Sequence, residues 1–111
     1  MALELDSANY RKEVLESEIP VIVDHWADWC GPCRMLASVF ERLSNDSAFK
    51  GKLKFAKLNV DLNAEIAGQN GIRGIPCLIV FRKGKEAGRI VGSMPEESLK
   101  LKIKEILAKA G

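Results

Sequence analysis

Leu3 and Leu5 flank Glu4, and this period-two alternation predicts a short edge strand at the start of the chain. Asp6 or Ser7 can cap a helix over 8–17, with Tyr10, Val14 and Leu15 turned inward. Pro20 ends that connection. The unbroken apolar run beginning Val21-Ile22-Val23 predicts a strand over 21–26 that is buried on both faces. Helical spacing follows: Leu36, Val39, Phe40 and Leu43 stand at i, i+3, i+4 and i+7, and Ser44-Asn45-Asp46-Ser47 marks the fraying end. A second central strand is predicted over 52–60. Asn63 caps a short helix over 64–70, and Gly71 suits the position just past its end. A third strand is predicted over 77–81, and Arg82-Lys83-Gly84-Lys85 turns the chain back antiparallel over 86–91. Ser93-Met94-Pro95-Glu96 reads as a capping box for a last helix, whose Leu99, Ile103, Ile106 and Leu107 face the core. Its Lys100, Lys102, Lys104 and Lys109 read as a solvated face that complements the helix C-terminus.

The order is βαβαβαββα. Strand–helix alternation favours parallel pairing and the late hairpin adds antiparallel strands, which predicts an α/β fold with one mixed five-stranded sheet flanked by four helices. At 111 residues the chain reads as one domain, 1–111, with a single core. The net charge of +2 and the lack of a basic cluster interleaved with aromatics exclude a nucleic-acid reader. The N-terminus has neither a basic n-region nor a long apolar stretch, so no signal peptide and no membrane span are expected. Three cysteines are too few for a disulfide scaffold. They read as a catalytic pair plus one spare in a reducing, cytoplasmic compartment.

The pair is Trp29-Cys30-Gly31-Pro32-Cys33, set between an apolar strand and a helical pattern. Two thiols three residues apart in the first turn of a helix share one face, so they can close as a disulfide or open as a dithiol. The helix N-terminus aims unpaired N–H groups and a positive dipole end at the first sulfur. That favours a thiolate at Cys30, the expected nucleophile, and leaves Cys33 as the less exposed resolving thiol. Pro32 is tolerated because first-turn positions have no intrahelical N–H bond to lose. Half a zinc site is the competing reading. Zinc needs about four ligands, and the chain has no second Cys-x-x-Cys and only one histidine, His25, so no metal is expected. Gly68-Gln69-Asn70-Gly71 makes no dinucleotide fingerprint, and no cofactor is expected.

Asp24 lies on the predicted buried strand. Its carboxyl is either a structural group satisfied by hydrogen bonds or an acid raised towards neutrality that exchanges protons with Cys33. His25 points to the opposite face, so the two should not form a catalytic pair; a partly buried histidine with a satisfied ring competes with an acid–base role. Cys77 has opposite parity to Pro76 and should point away from Cys30, as a small core residue or as a third redox thiol.

The segment from Val23 to Cys33 closely resembles the active-site segment of the thioredoxin family. Lys57-Leu58-Asn59-Val60-Asp61 and Gly71-Ile72-Arg73-Gly74-Ile75-Pro76 resemble it too, in register over nearly the whole chain. The resemblance implies a monomeric protein-disulfide reductase, with a redox disulfide Cys30-Cys33, disulfide-containing client proteins and a thioredoxin reductase as partners. It also implies central strands flanked by the first strand and the hairpin, and proton transfer at Asp24. Lys57 should stand near that acid and favour its charged form against burial; which effect prevails is left open. The Ile75–Pro76 bond is implied to be cis, with Pro76 packed on the dithiol. Ile75 then offers free backbone groups to a client strand, a form of β-addition. Trp29, Gly31, Pro32, Ile75, Val91 and Gly92 are implied to form a flat, mostly apolar rim, with Gly92 leaving room for an incoming chain or serving as a strand-end turn. Trp26 reads as a core residue, or, as the resemblance implies, as one held by Asp61 through its indole N–H.

Four residues depart from the family pattern: Cys77 for threonine, His25 for an aromatic, and Ser38 and Ala64 for prolines. Loss of the proline at 38 removes a predicted kink. Two rival functions remain. An oxidant or isomerase is disfavoured by Gly31-Pro32 between the thiols, since a histidine there stabilises the thiolate. A non-catalytic scaffold is disfavoured by the presence of both thiols, Pro76 and Asp24.

Overall fold

The computed structural model describes residues 2–110. In chain order they form β1 (Leu3–Leu5), a π-helical turn (Arg11–Leu15), β2 (Val21–Trp26), α1 (Gly31–Ser44), β3 (Lys54–Asn59), α2 (Ala64–Gln69), β4 (Cys77–Arg82), β5 (Lys85–Val91) and α3 (Glu96–Ala110). The five strands make one mixed sheet in the order β1-β3-β2-β4-β5, with the helical segments on both faces, as predicted. Parallel pairing is confined to β1–β3 and β3–β2; the crossover through α2 brings β4 back antiparallel to β2, and β5 pairs antiparallel to β4.

Strand parity sorts the core into two layers. Ile22, Leu78, Val80 and Ile90 face α1 and α3, where Leu36, Phe40, Leu43, Leu99 and Ile103 pack on them. Val21, Val23, Leu58, Ile79 and Phe81 face the π turn and α2, where Tyr10, Val14 and Ala67 cover them. The inner strands β2 and β4 are buried at five consecutive positions each, which is why their sequences do not alternate.

Several local expectations need correction. The first helix shrinks to one π-helical turn, in which the Glu16 N–H donates to the Arg11 carbonyl at 2.9 Å. Asp6 rather than Ser7 organises the approach, its Oδ1 accepting from the Ala8 and Asn9 amides. Leu15 is exposed, because the turn ends there and the chain leaves through Glu16. The strand predicted over 52–60 begins later, since the Lys52 and Leu53 amides close a turn on the Phe49 carbonyl. Asn63 does not cap α2 with its side chain; its Nδ2 donates to the Asn59 carbonyl instead. No capping box opens α3. The helix starts at Glu96, the Leu99 amide bonds the Pro95 carbonyl, and the Glu96 carboxylate turns away to pair with Arg42 on α1 at 2.9 Å. Lys100 is half-buried against Asp46, 2.8 Å away, rather than simply solvated. With Ser38 in place of proline, α1 runs unbroken for 14 residues.

The hairpin forms as predicted. Lys83 and Gly84 both have positive φ, +52° and +77°, the geometry of a two-residue turn whose twist matches the flanking strands.

Candidate active site

The dithiol lies where β2 gives way to α1. Cys30 is the N-cap residue, in extended geometry, and its Sγ accepts the Cys33 amide at 3.2 Å. Pro32 fills the first turn. Cys30 and Cys33 are joined as a disulfide, with Cα atoms 5.2 Å apart. Both are nearly buried, 4% and 3% exposed, so in this oxidised form Cys30 is barely more accessible than Cys33. Trp29 beside them is 68% exposed, and its indole N–H donates to Asp61 Oδ2 at 2.9 Å. The tether implied for Trp26 therefore belongs to Trp29; the Trp26 Nε1 has no hydrogen-bond partner among the described residues.

Behind the disulfide lies a cavity of about 120 Å³ lined by Asp24, Trp26, Cys33, Arg34, Phe40 and Lys57. It brings the buried carboxyl and the second cysteine together. Asp24 is 3% exposed, and its Oδ1 has no hydrogen-bond partner. Burial pushes its pKa from 3.8 up to about 7, and the positive charge of Lys57 opposes this. Burial thus prevails, a balance the sequence left open. Lys57 pairs with Asp24 in the β2–β3 register, but its ammonium reaches Glu4 at 3.7 Å and lies 5.4 Å from the centre of the Trp26 ring.

On the other flank the Ile75–Pro76 bond is cis, and Pro76 is buried. The Pro76 carbonyl accepts the Gly92 amide at 2.8 Å. Gly92 has φ +87°, and a Cβ there would meet nothing within 4 Å. Its backbone conformation at the strand end, not crowding within the chain, is what calls for glycine. Of the implied rim residues, Val91 and Pro32 are exposed, and Gly31 and Ile75 are half-buried. A groove of about 260 Å³ runs between Trp29, Val60, Ala67 and Ile72–Ile75.

His25 and Cys77 lie across β2–β4 from each other on the opposite sheet face. His25 is fully buried rather than partly so: Nδ1 lies 2.9 Å from the Cys77 carbonyl oxygen, while Nε2 has no partner. Burial lowers its pKa, and burial raises that of the Cys77 thiol. Neither lines the cavity shared by Asp24 and Cys33. Asn59 was missed from sequence: its buried side chain accepts the Asp61 and Leu62 amides and so sets the turn that carries Asp61 under Trp29. An asparagine at a strand end ahead of Val60-Asp61 was the available signal.

Comparison with known proteins agrees with this geometry. The Thioredoxin family model matches residues 1–105. The chain is 46% identical to a Thioredoxin of Chlorobaculum thiosulfatiphilum, over 92% of this chain and 93% of that one. It is 42% identical to Thioredoxin 1 of Nostoc sp., over 88% and 90% respectively. It is also 41% identical to Thioredoxin M4, chloroplastic, of Arabidopsis thaliana, over 93% of this chain and 52% of that one. The chain therefore belongs to the thioredoxin family, and the reaction at Cys30 and Cys33 is thiol–disulfide exchange that reduces protein disulfides.

Proposed function

We propose that the residues divide this reaction as follows. In the reduced protein the Cys30 thiolate attacks one sulfur of a client disulfide. The client S–S bond breaks, a mixed disulfide forms, and the departing client thiolate takes up a proton. Cys33 gives its proton to the Asp24 carboxylate and attacks Cys30 Sγ. The second client sulfur leaves and is protonated, and the protein is left with Cys30–Cys33 closed. Two electrons have then passed from the dithiol to the client, with one proton supplied by Cys33 by way of Asp24 and the other by solvent, and a thioredoxin reductase returns the electrons. The observation that carries this division is the cavity shared by Asp24 and Cys33 behind the helix-capping Cys30.

Lys57 tempers the rise in the Asp24 pKa. Trp29, Gly31, Pro32, Ile75, Val91 and Gly92 receive the client chain, with backbone pairing beside Ile75 next to Pro76. Main-chain bonds carry little sequence information, which suits one protein to many clients. We assign the chain as one domain, monomeric and cytoplasmic; among the described residues no helix is long and apolar enough to cross a membrane. Cys33→Ser tests the division of labour. It should accumulate a mixed disulfide through Cys30 with an oxidised protein substrate, and Cys30→Ser should accumulate none. Equal trapping by both variants would reverse or abolish the assignment.

A further inference from the structure

The groove wall 72–75 hangs from β5 at both ends. At its far end the Gly92 amide holds the Pro76 carbonyl. At its near end stands Arg89. This guanidinium donates from Nη2 to the Asn70 carbonyl at 2.8 Å and from Nη1 to the Gly71 carbonyl at 3.4 Å. Its Nε and Nη2 grip both oxygens of Glu86 at 2.7 Å. A bidentate carboxylate fixes the planar fork, so the remaining donors are aimed before any acceptor arrives.

The backbone makes this possible. Residues 86 and 89 would point to opposite faces of a regular strand. In β5 the register shifts: Val80 pairs with Gly88 but Phe81 pairs with Glu86, so Ala87 is the extra residue of a bulge. Glu86 is thereby brought to the face of Phe81 and Ile79, and Arg89, the partner of Ile79, shares that face. The acceptors are the end of α2, where the Gly71 amide bonds Gly68 and the Ile72 amide bonds Ala67, with Gly71 at φ +65°. Asn70 is tied again through its Nδ2 to the Tyr10 hydroxyl at 2.9 Å.

We infer that Arg89 is a positioning residue for disulfide exchange, holding the corner at Asn70 and Gly71 so that the wall 72–75 is set for a client chain. This rests on the proposed pairing of clients along that wall. Arg89 touches neither sulfur, so a small disulfide that needs no groove should not sense it.

The full-length reduced protein and its Arg89→Gln, Arg89→Lys and Trp29→Ala variants are compared on insulin, a protein disulfide, and on glutathione disulfide. Arg89→Gln should raise KM for insulin about fivefold with kcat within about twofold, and leave the glutathione disulfide rate within about twofold. Arg89→Lys, which keeps a charged donor but not the fork, should fall between. Amide exchange at 72–75 should quicken in Arg89→Gln while β2 and β4 stay protected. An unchanged insulin KM in Arg89→Gln, with a raised one in Trp29→Ala, overturns the role of Arg89 alone. An unchanged KM in both overturns the groove reading beneath it. Equal slowing on both substrates places the effect at the dithiol and also overturns the inference.

Discussion

Asp24 is an ionisable group that is only 3% exposed, and this links the chemistry to stability. In the folded chain it keeps its proton to about pH 7, whereas the ordinary value is 3.8. The native state therefore binds more protons than the unfolded state across that window, so its contribution to stability falls as pH rises from about 4 to 7. The differential amounts to roughly 4 kcal/mol at most. Asp24→Asn removes it: urea unfolding of the oxidised protein should show the variant more stable by a few kcal/mol at pH 8, with the gain fading towards pH 4. A gain independent of pH would mean that packing, not ionisation, is responsible. The same substitution should slow release of client from the mixed disulfide, because Cys33 loses its proton acceptor. His25 works in the opposite sense. Its lowered pKa means the unfolded chain takes up a proton first as pH falls through the ordinary 6.5, so its contribution weakens on the acid side.

At the scale of elements, the β4–β5 hairpin is locked onto the π-helical turn. A Cβ on Gly84 would stand 2.8 Å from the Leu15 carbonyl oxygen, and Gly84 already has φ +77°. Gly84→Ala should lower stability by about 2 kcal/mol in denaturant unfolding, while the reduced variant keeps its turnover. A loss below a few tenths would show that the hairpin can draw back from Leu15.

Elements with one dominant signal were legible in the sequence. The continuous apolar runs of β2 and β4, the Leu36-Val39-Phe40-Leu43 stripe and the Lys83-Gly84 turn all formed where expected. What was not legible depended on partners distant in sequence. The capping box was lost because Glu96 found Arg42, 54 residues away, and the Trp26 tether because the turn set by Asn59 delivers Asp61 to Trp29 instead. The Glu86–Arg89 fork needed a bulge that no local pattern announces. In the site, the Cys30–Cys33 motif was plain from spacing, but the balance between burial and Lys57 at Asp24 required the depth of the cavity.

Across the whole molecule, the sheet separates two tasks. Its α1–α3 face carries the larger hydrophobic cluster and, at the end of β2, the Asp24 cavity behind Cys33. Its other face buries His25 and Cys77, which pair across β2 and β4. The dithiol stands where β2 gives way to α1, and the cis Ile75–Pro76 segment is tied to the end of β5 by the Gly92 amide on the Pro76 carbonyl. Cys30 caps the N-terminus of α1, a position that favours a thiolate in the reduced protein. The pH dependence of iodoacetamide alkylation of Cys30 in the reduced Cys33→Ser protein measures this directly. The rate should reach half its plateau well below pH ~8.5, the value for a free thiol; a midpoint at or above that value would contradict the account.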